Sequence, residues 1–129
     1  MNRFLSRFDE TGYTLLRFVA GFLFCFHGMQ KILGMHGGTV QPMFTMMWTA
    51  GIIELTAGTL VALGLLTTPL ALLASGQMAV AYFMAHQPAG LWPIQNRGEL
   101  AALYAFVFLY VAMKGSGRFS VDALIGRAR

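Results

Sequence analysis

Hydrophobic positions dominate this chain in four blocks, and the block that organises the others is 44–66, FTMMWTAGIIELTAGTLVALGLL. It is about as long as a bilayer is thick. Apolar runs over 13–33, 70–86 and 98–114 accompany it, separated by the glycine- and proline-rich stretches GMHGGTVQPM and QPAGLWPIQNR. Between the second and third runs only Thr67-Thr68-Pro69 intervenes, a turn that allows nothing but an antiparallel hairpin, with the proline opening the next helix. The pattern predicts an all-α integral membrane protein: one domain over 1–129, an antiparallel four-helix bundle with both termini cytoplasmic.

Polar residues inside the apolar blocks refine that picture. Glu54 is the one charge in its run, and an acid at a helix centre costs roughly 2.5 kcal/mol or more in a bilayer. Ala50, Gly51, Ala57 and Gly58 lie one turn away, so a second helix can approach until its side chains reach the carboxyl. In the first run Arg17, Gly21, Phe24, Gly28 and Lys31 form one stripe with His27 at its edge, leaving Leu15, Phe22, Phe26 and Met29 for lipid. The third run has no charge, and Ala71, Ala74, Ser75, Gly76 and Ala79 favour close packing.

Composition agrees: 57% of residues are hydrophobic and 11% charged, where soluble domains average about 25% charged. The net charge of +4 sits near the ends of the chain without interleaved aromatics, so it reads as a topology signal and not as a nucleic-acid surface. Arg3, Arg7, Lys114, Arg118, Arg127 and Arg129 share one side; Lys31 and Arg97 face the other. That asymmetry places the termini in the cytoplasm, with the chain multi-pass in the membrane. Cys25 is alone, which excludes an internal disulfide and thiolate clusters. Residues 1–12 read as an interfacial lead-in, and the first run as an uncleaved anchor.

With this orientation a polar funnel runs inward. His27 lies about 9 Å and Glu54 roughly 15 Å from the outer ends of their spans. His86, Arg97 and Glu99 are near the mouth. Glu54 is the candidate catalytic, proton-handling acid, and His27, Lys31, Arg97, Glu99, Tyr104 and Arg17 are the candidate binding residues. Tyr104, Phe106, Phe108 and Tyr110 suit packing first, and also the wedging of a flat ring such as a quinone. Plainer roles compete: Arg17 and Lys31 can extend to the interfaces, Glu99 can serve a helix dipole, and Glu54 can be a structural hydrogen-bonding acid. Haem ligation by His27 and His86, or copper(I) held by Met35, Met43, Met46 and Met47 near His36, rests on weak spacing, so no metal site is assigned.

Several stretches resemble the DoxX family of small bacterial membrane proteins: RFVAGFLFCFHGMQKILG, GIIELTAGTLVALGLLT, SGQMAVAYFMAHQPAGLWPIQNRGELAALYAF and GSGRFSVDAL. The family pattern carries over to Arg17, Gly28, Lys31, Glu54, Gly58, Asn96, Gly98, Glu99, Ser120 and Asp122. Arg97 stands where the pattern has glycine, and Thr68 where a basic residue is common. The resemblance implies a four-helix membrane protein linked to quinol oxidation, thiosulfate–quinone chemistry or oxidative-stress complexes. The expectation is a redox-associated subunit that holds a quinone near Glu54 among membrane lipids. It would work with an oxidoreductase partner or as a homo-oligomer, and without nucleic acid. The alternatives are a non-enzymatic scaffold or assembly subunit and, behind it, a small-molecule transporter.

Overall fold

The computed structural model describes residues 2–127, so Arg129, counted among the basic residues of one side, and Met1 of the lead-in lie outside them. Four long helices carry the fold: α1 (Asp9–Ile32), α2 (Met46–Leu63), α3 (Thr67–Ala81) and α4 (Glu99–Lys114). No strand occurs among the described residues. Three helical stretches are long and apolar enough to cross a membrane, Asn2–Ile32, Met46–Leu63 and Thr67–Ala89. The 16 residues of α4 reach only about 24 Å, short of the roughly 30 Å hydrocarbon core.

Helix ends follow local chemistry. Thr45 caps α2 by accepting a hydrogen bond from the Trp48 amide, so the helix begins two residues after Phe44. Gly64, at φ 75°, ends it with the two crossed amide bonds, from Gly64 to Val61 and from Leu65 to Leu60, that close a Schellman turn. Pro69 does not open α3 as expected; the helix starts at Thr67. A proline in the first turn removes an amide that has no helical partner there, so the helix can start before it. At its other end α3 widens into a π-helical turn, Tyr82–His86, and then a 3-10 turn, Gln87–Ala89.

Two antiparallel seams hold the helices together. Along α1 and α2, a Cβ on Gly28 would lie 2.3 Å from the Leu55 amide nitrogen, one on Gly21 2.6 Å from Ala62 N, and one on Gly58 2.6 Å from Cys25 N. These backbones meet only because no side chain stands between them. Along α3 and α4, Ala71, Ala74 and Ser75 are buried, and the Ser75 hydroxyl donates to the Ala105 carbonyl at 2.7 Å. Gly76 departs from the expected small-residue contact, because it faces open space.

Aromatic packing joins the two pairs. Phe24 of α1 and Phe108 of α4 are fully buried with ring centroids 4.8 Å apart, and Tyr104 stacks on Phe108 at 5.6 Å. Phe106 and Tyr110 point outward instead, together with Leu15, Phe22, Leu72 and Leu103. That apolar exterior is what a lipid solvent requires.

Replacing Gly58 by Leu should separate α1 from α2 and cost more than the 1–3 kcal/mol typical of overpacking, read as a lower unfolding temperature in detergent. Gly76→Ala, with open space around it, should leave that temperature unchanged or raise it.

Candidate ligand-binding site

Where α1 and α2 run closest, the seam delivers Lys31 to Glu54. The Lys31 ammonium donates to both carboxylate oxygens, at 2.7 Å to Oε1 and 2.6 Å to Oε2, and Glu54 is 2% exposed. Gln77 of α3 donates its amide Nε2 to Glu54 Oε1 at 2.9 Å. The acid therefore has polar company from two other helices, and the Lys31–Glu54 pair is electrically neutral as a unit. Lys31 does not simply extend to the interface.

The pair and Gln77 sit in the wall of a cavity of about 400 Å³ between the helices, within the size range of small-molecule sites. Phe24, Met46, Met47, Met78, Met84 and Leu100 supply apolar surface. His27, His86, Arg97 and Tyr104 supply polar edges, and the His27 ring stands perpendicular to Tyr104 with centroids 6.1 Å apart. The carbonyl oxygen of Gln77 is buried without a hydrogen-bond partner, an unmet acceptor beside the acid. Among the described residues no group of three or more His, Cys, Asp or Glu could hold a metal ion.

The segment after α3 shapes the mouth. The π-helical turn changes the phase of the helix, and His86 reaches the cavity, its Nδ1 3.2 Å from the Asn96 carbonyl. Asn96 is buried and ties the loop to the π-helical turn and to the start of α4, donating to Gly90 O and the Tyr82 hydroxyl and accepting from the Gly98 amide. Gly98 has no room for a side chain, with the Asn96 side chain, the Tyr82 ring and His86 Cβ all within 2.8 Å of a Cβ position. Arg97 adopts φ 59°, the left-handed conformation that glycine takes without steric cost.

Two of the sequence candidates lie elsewhere. Glu99 does not line the cavity; it is exposed in the first turn of α4, on an outer groove that it shares with Arg97, and the two form no ion pair among the described residues. Arg17 is at the opposite end of the molecule and 2% exposed, so it neither joins the cavity nor extends to the interface. Its guanidinium donates to three carbonyls: Val61 at 3.1 Å, Phe119 at 2.8 Å, and Ser116. Tyr13 donates to the Val111 and Gly115 carbonyls beside it. Together they clamp the segment after α4 onto the end of α2, where Asp122 N also donates to Gly64 O.

The DoxX family pattern matches residues 12–87, more than half of the chain. The chain belongs to the DoxX family. An uncharacterised protein of Haemophilus influenzae is similar to it at 39% identity, covering 92% of this chain and 93% of that one. A Bacillus subtilis protein named "Putative oxidoreductase CatD" is 29% identical, covering 97% of this chain and 95% of its own. No solved structure matches the chain significantly. This DoxX chain is thus a membrane protein with a distant relative named as an oxidoreductase.

Gln77 escaped the sequence reading. Its signal was present, a lone amide in the middle of an otherwise uncharged span, but a neutral side chain does not carry the cost that drew attention to Glu54.

Lys31→Met should destabilise the protein by about 3–5 kcal/mol, because it strands a buried carboxylate. Adding Glu54→Gln should recover most of that loss, a coupling that a double-mutant cycle of thermal unfolding measures. Arg97→Gly should raise stability by about 1 kcal/mol in the same assay, since the left-handed backbone then carries no side-chain clash.

Proposed function

We propose that this DoxX protein is a redox-associated subunit of a bacterial inner membrane, spanning it four times with both termini cytoplasmic, and that its cavity holds a quinone or quinol. The basic residues that gather at the end opposite the cavity support the orientation: Arg3, Arg7, Lys114, Arg118 and Arg127 against Lys31 and Arg97. One observation carries the ligand reading. An apolar, ring-sized space has in a single wall a buried acid, its ammonium partner and an amide oxygen with nothing to accept.

A bound quinone or quinol would supply two-electron, two-proton redox chemistry. The protein's residues then have separate tasks. Phe24, Tyr104 and the methionines exclude water and hold a flat apolar body. Gln77 Oε1 accepts from a hydroxyl on the ligand. Lys31 can donate to a ligand oxygen while keeping one contact to Glu54, and Glu54 takes or returns the proton. His27 and His86, which also line the cavity, would pass that proton outward. An oxidoreductase partner in the membrane would supply or accept the electrons; the redox association itself agrees with the name of the Bacillus subtilis relative, "Putative oxidoreductase CatD".

A non-enzymatic scaffold is the second reading, favoured by the fact that Glu54 already has its partners inside the protein. Such a pair can serve helix register alone.

Titration of purified protein with a short-chain ubiquinone, followed by tryptophan fluorescence, separates the two. Quinone binding should weaken about tenfold or more in Glu54→Gln and lose its pH dependence, at unchanged helical content. Unchanged affinity and unchanged pH dependence would leave the scaffold reading, in which Glu54→Gln still co-purifies with the partner.

A further inference from the structure

The Glu54 cavity reaches the surface sideways, toward the membrane. Of the residues in its wall, Met46, Met47, Val80 and Met84 are also between 45% and 64% exposed. They belong to the stretches Met46–Leu63 and Thr67–Ala89, each long and apolar enough to cross a bilayer, so what they face outside the cavity is lipid. The exposed charge of the wall, Arg97, stands apart from them in the loop before α4.

Three of the four helix seams are shut. Between α1 and α2 the backbones touch at Gly21, Gly28 and Gly58. Between α3 and α4, Ala71, Ala74 and Ser75 are buried, and between α1 and α4 the rings of Phe24, Tyr104 and Phe108 interlock. The hairpin ties α2 to α3 at one end only, and among the described residues a single hydrogen bond joins these two helices, from Gln77 to Glu54. Beyond that bond their facing stripes match. Ala50 and Met47 come four and seven residues before Glu54, Ala81 and Met84 four and seven after Gln77, and all of them line the cavity. Going outward, each helix thus presents a hydrogen-bonding side chain, then an alanine, then a methionine. The alanines leave a slot, and the methionines, unbranched and adaptable, form its lip.

We propose, building on the quinone reading, that this slot holds the hydrocarbon tail of the ligand whose ring lies at Glu54, so that the site takes a long-tailed quinone from the bilayer and not a water-soluble ring. A cavity of about 400 Å³ is near the lower end of the roughly 300–1,000 Å³ of small-molecule sites. It accommodates a ring but not a ring with a long tail, so the tail has to leave the bundle. With the ring against Phe24, Tyr104 and Met78, the slot is the remaining apolar way out. From Glu54 to Met47 it runs about 10 Å along α2, a distance that a decyl chain covers. The tail meets only methyl, methylene and thioether groups on that path and then continues into lipid, so no polar group has to be desolvated for it to pass.

The full chain in phosphatidylcholine nanodiscs, titrated with decylubiquinone and with ubiquinone-0, the same ring without a tail, tests the slot. Each ligand is counted per volume of lipid, so that partitioning cancels, and binding is read by tryptophan fluorescence. Decylubiquinone should bind about tenfold more tightly. Ala50→Phe and Ala81→Phe, which fill the slot, should bring that ratio to within about twofold and leave the affinity for ubiquinone-0 as it was. The milder Met47→Ala and Met84→Ala, at exposed positions, should lower the ratio about threefold at unchanged helical content. Leu72→Phe, at an exposed position of α3 outside the cavity wall, should leave it intact. Equal binding of the two ligands to the unaltered protein, as when a phospholipid acyl chain already fills the slot, would overturn the tail subsite while the quinone reading stands. A ratio that survives every slot substitution would do the same. Loss of binding by both ligands would remove the quinone reading, and the tail subsite with it.

Discussion

The ion pair between Lys31 and Glu54 is the constraint around which the helices are arranged. A carboxylate in a membrane interior is tolerable only if a cation and further donors reach it, and here both oxygens receive the ammonium while Gln77 adds a third bond. That geometry depends on how near α1 comes to α2. Gly21, Gly28 and Gly58 let the two backbones touch, and Gly51 lies against the Lys31 side chain where it leaves α1. The glycines and the ion pair are therefore one device. The first permits the approach, and the second makes one register preferable to others.

The two ends of the molecule solve the same problem differently. At the cavity end, charges face an apolar space large enough for a ligand, and the loop that closes it is held by Asn96. At the other end Arg17 is wholly enclosed and spends its donors on backbone carbonyls, so it acts as a clasp for the segment that follows α4. Surface pairs between Lys114 and Asp9, at 3.3 Å, and the bond from the Arg118 amide to Glu10 add to that clasp. Exposed pairs of this kind contribute little by themselves. One end leaves a cavity open between the helices, and the other closes the chain on itself, with a polar crevice left at its rim.

Much of the site was legible in residue order, because expensive residues announce themselves. Glu54 stood out for its cost, Lys31 for lying on the glycine stripe of the first helix, and His27 for its place beside that stripe. Arg97 was noticed as a departure from the family's glycine, and its left-handed backbone gives that departure a physical meaning. Inexpensive residues were harder to see. Gln77 carries no charge, and its role exists only because α3 lies across the α1–α2 seam. Glu99 was expected at the mouth because it opens the fourth span on that side, but it lies on an outer groove with Arg97 and does not line the cavity.

By itself the sequence determined the four long helices, their breaks to within a few residues, the membrane character and the family, since hydropathy, glycine and proline act locally. It also determined that Glu54 needed a partner, because the energetic penalty belongs to the residue and its span. Only the tertiary structure decided which partners it received and that Arg17 belongs to a different end of the molecule. Those outcomes depend on which helix faces cross, and a crossing is set by the summed packing of many small residues and rings, a quantity that no single segment contains.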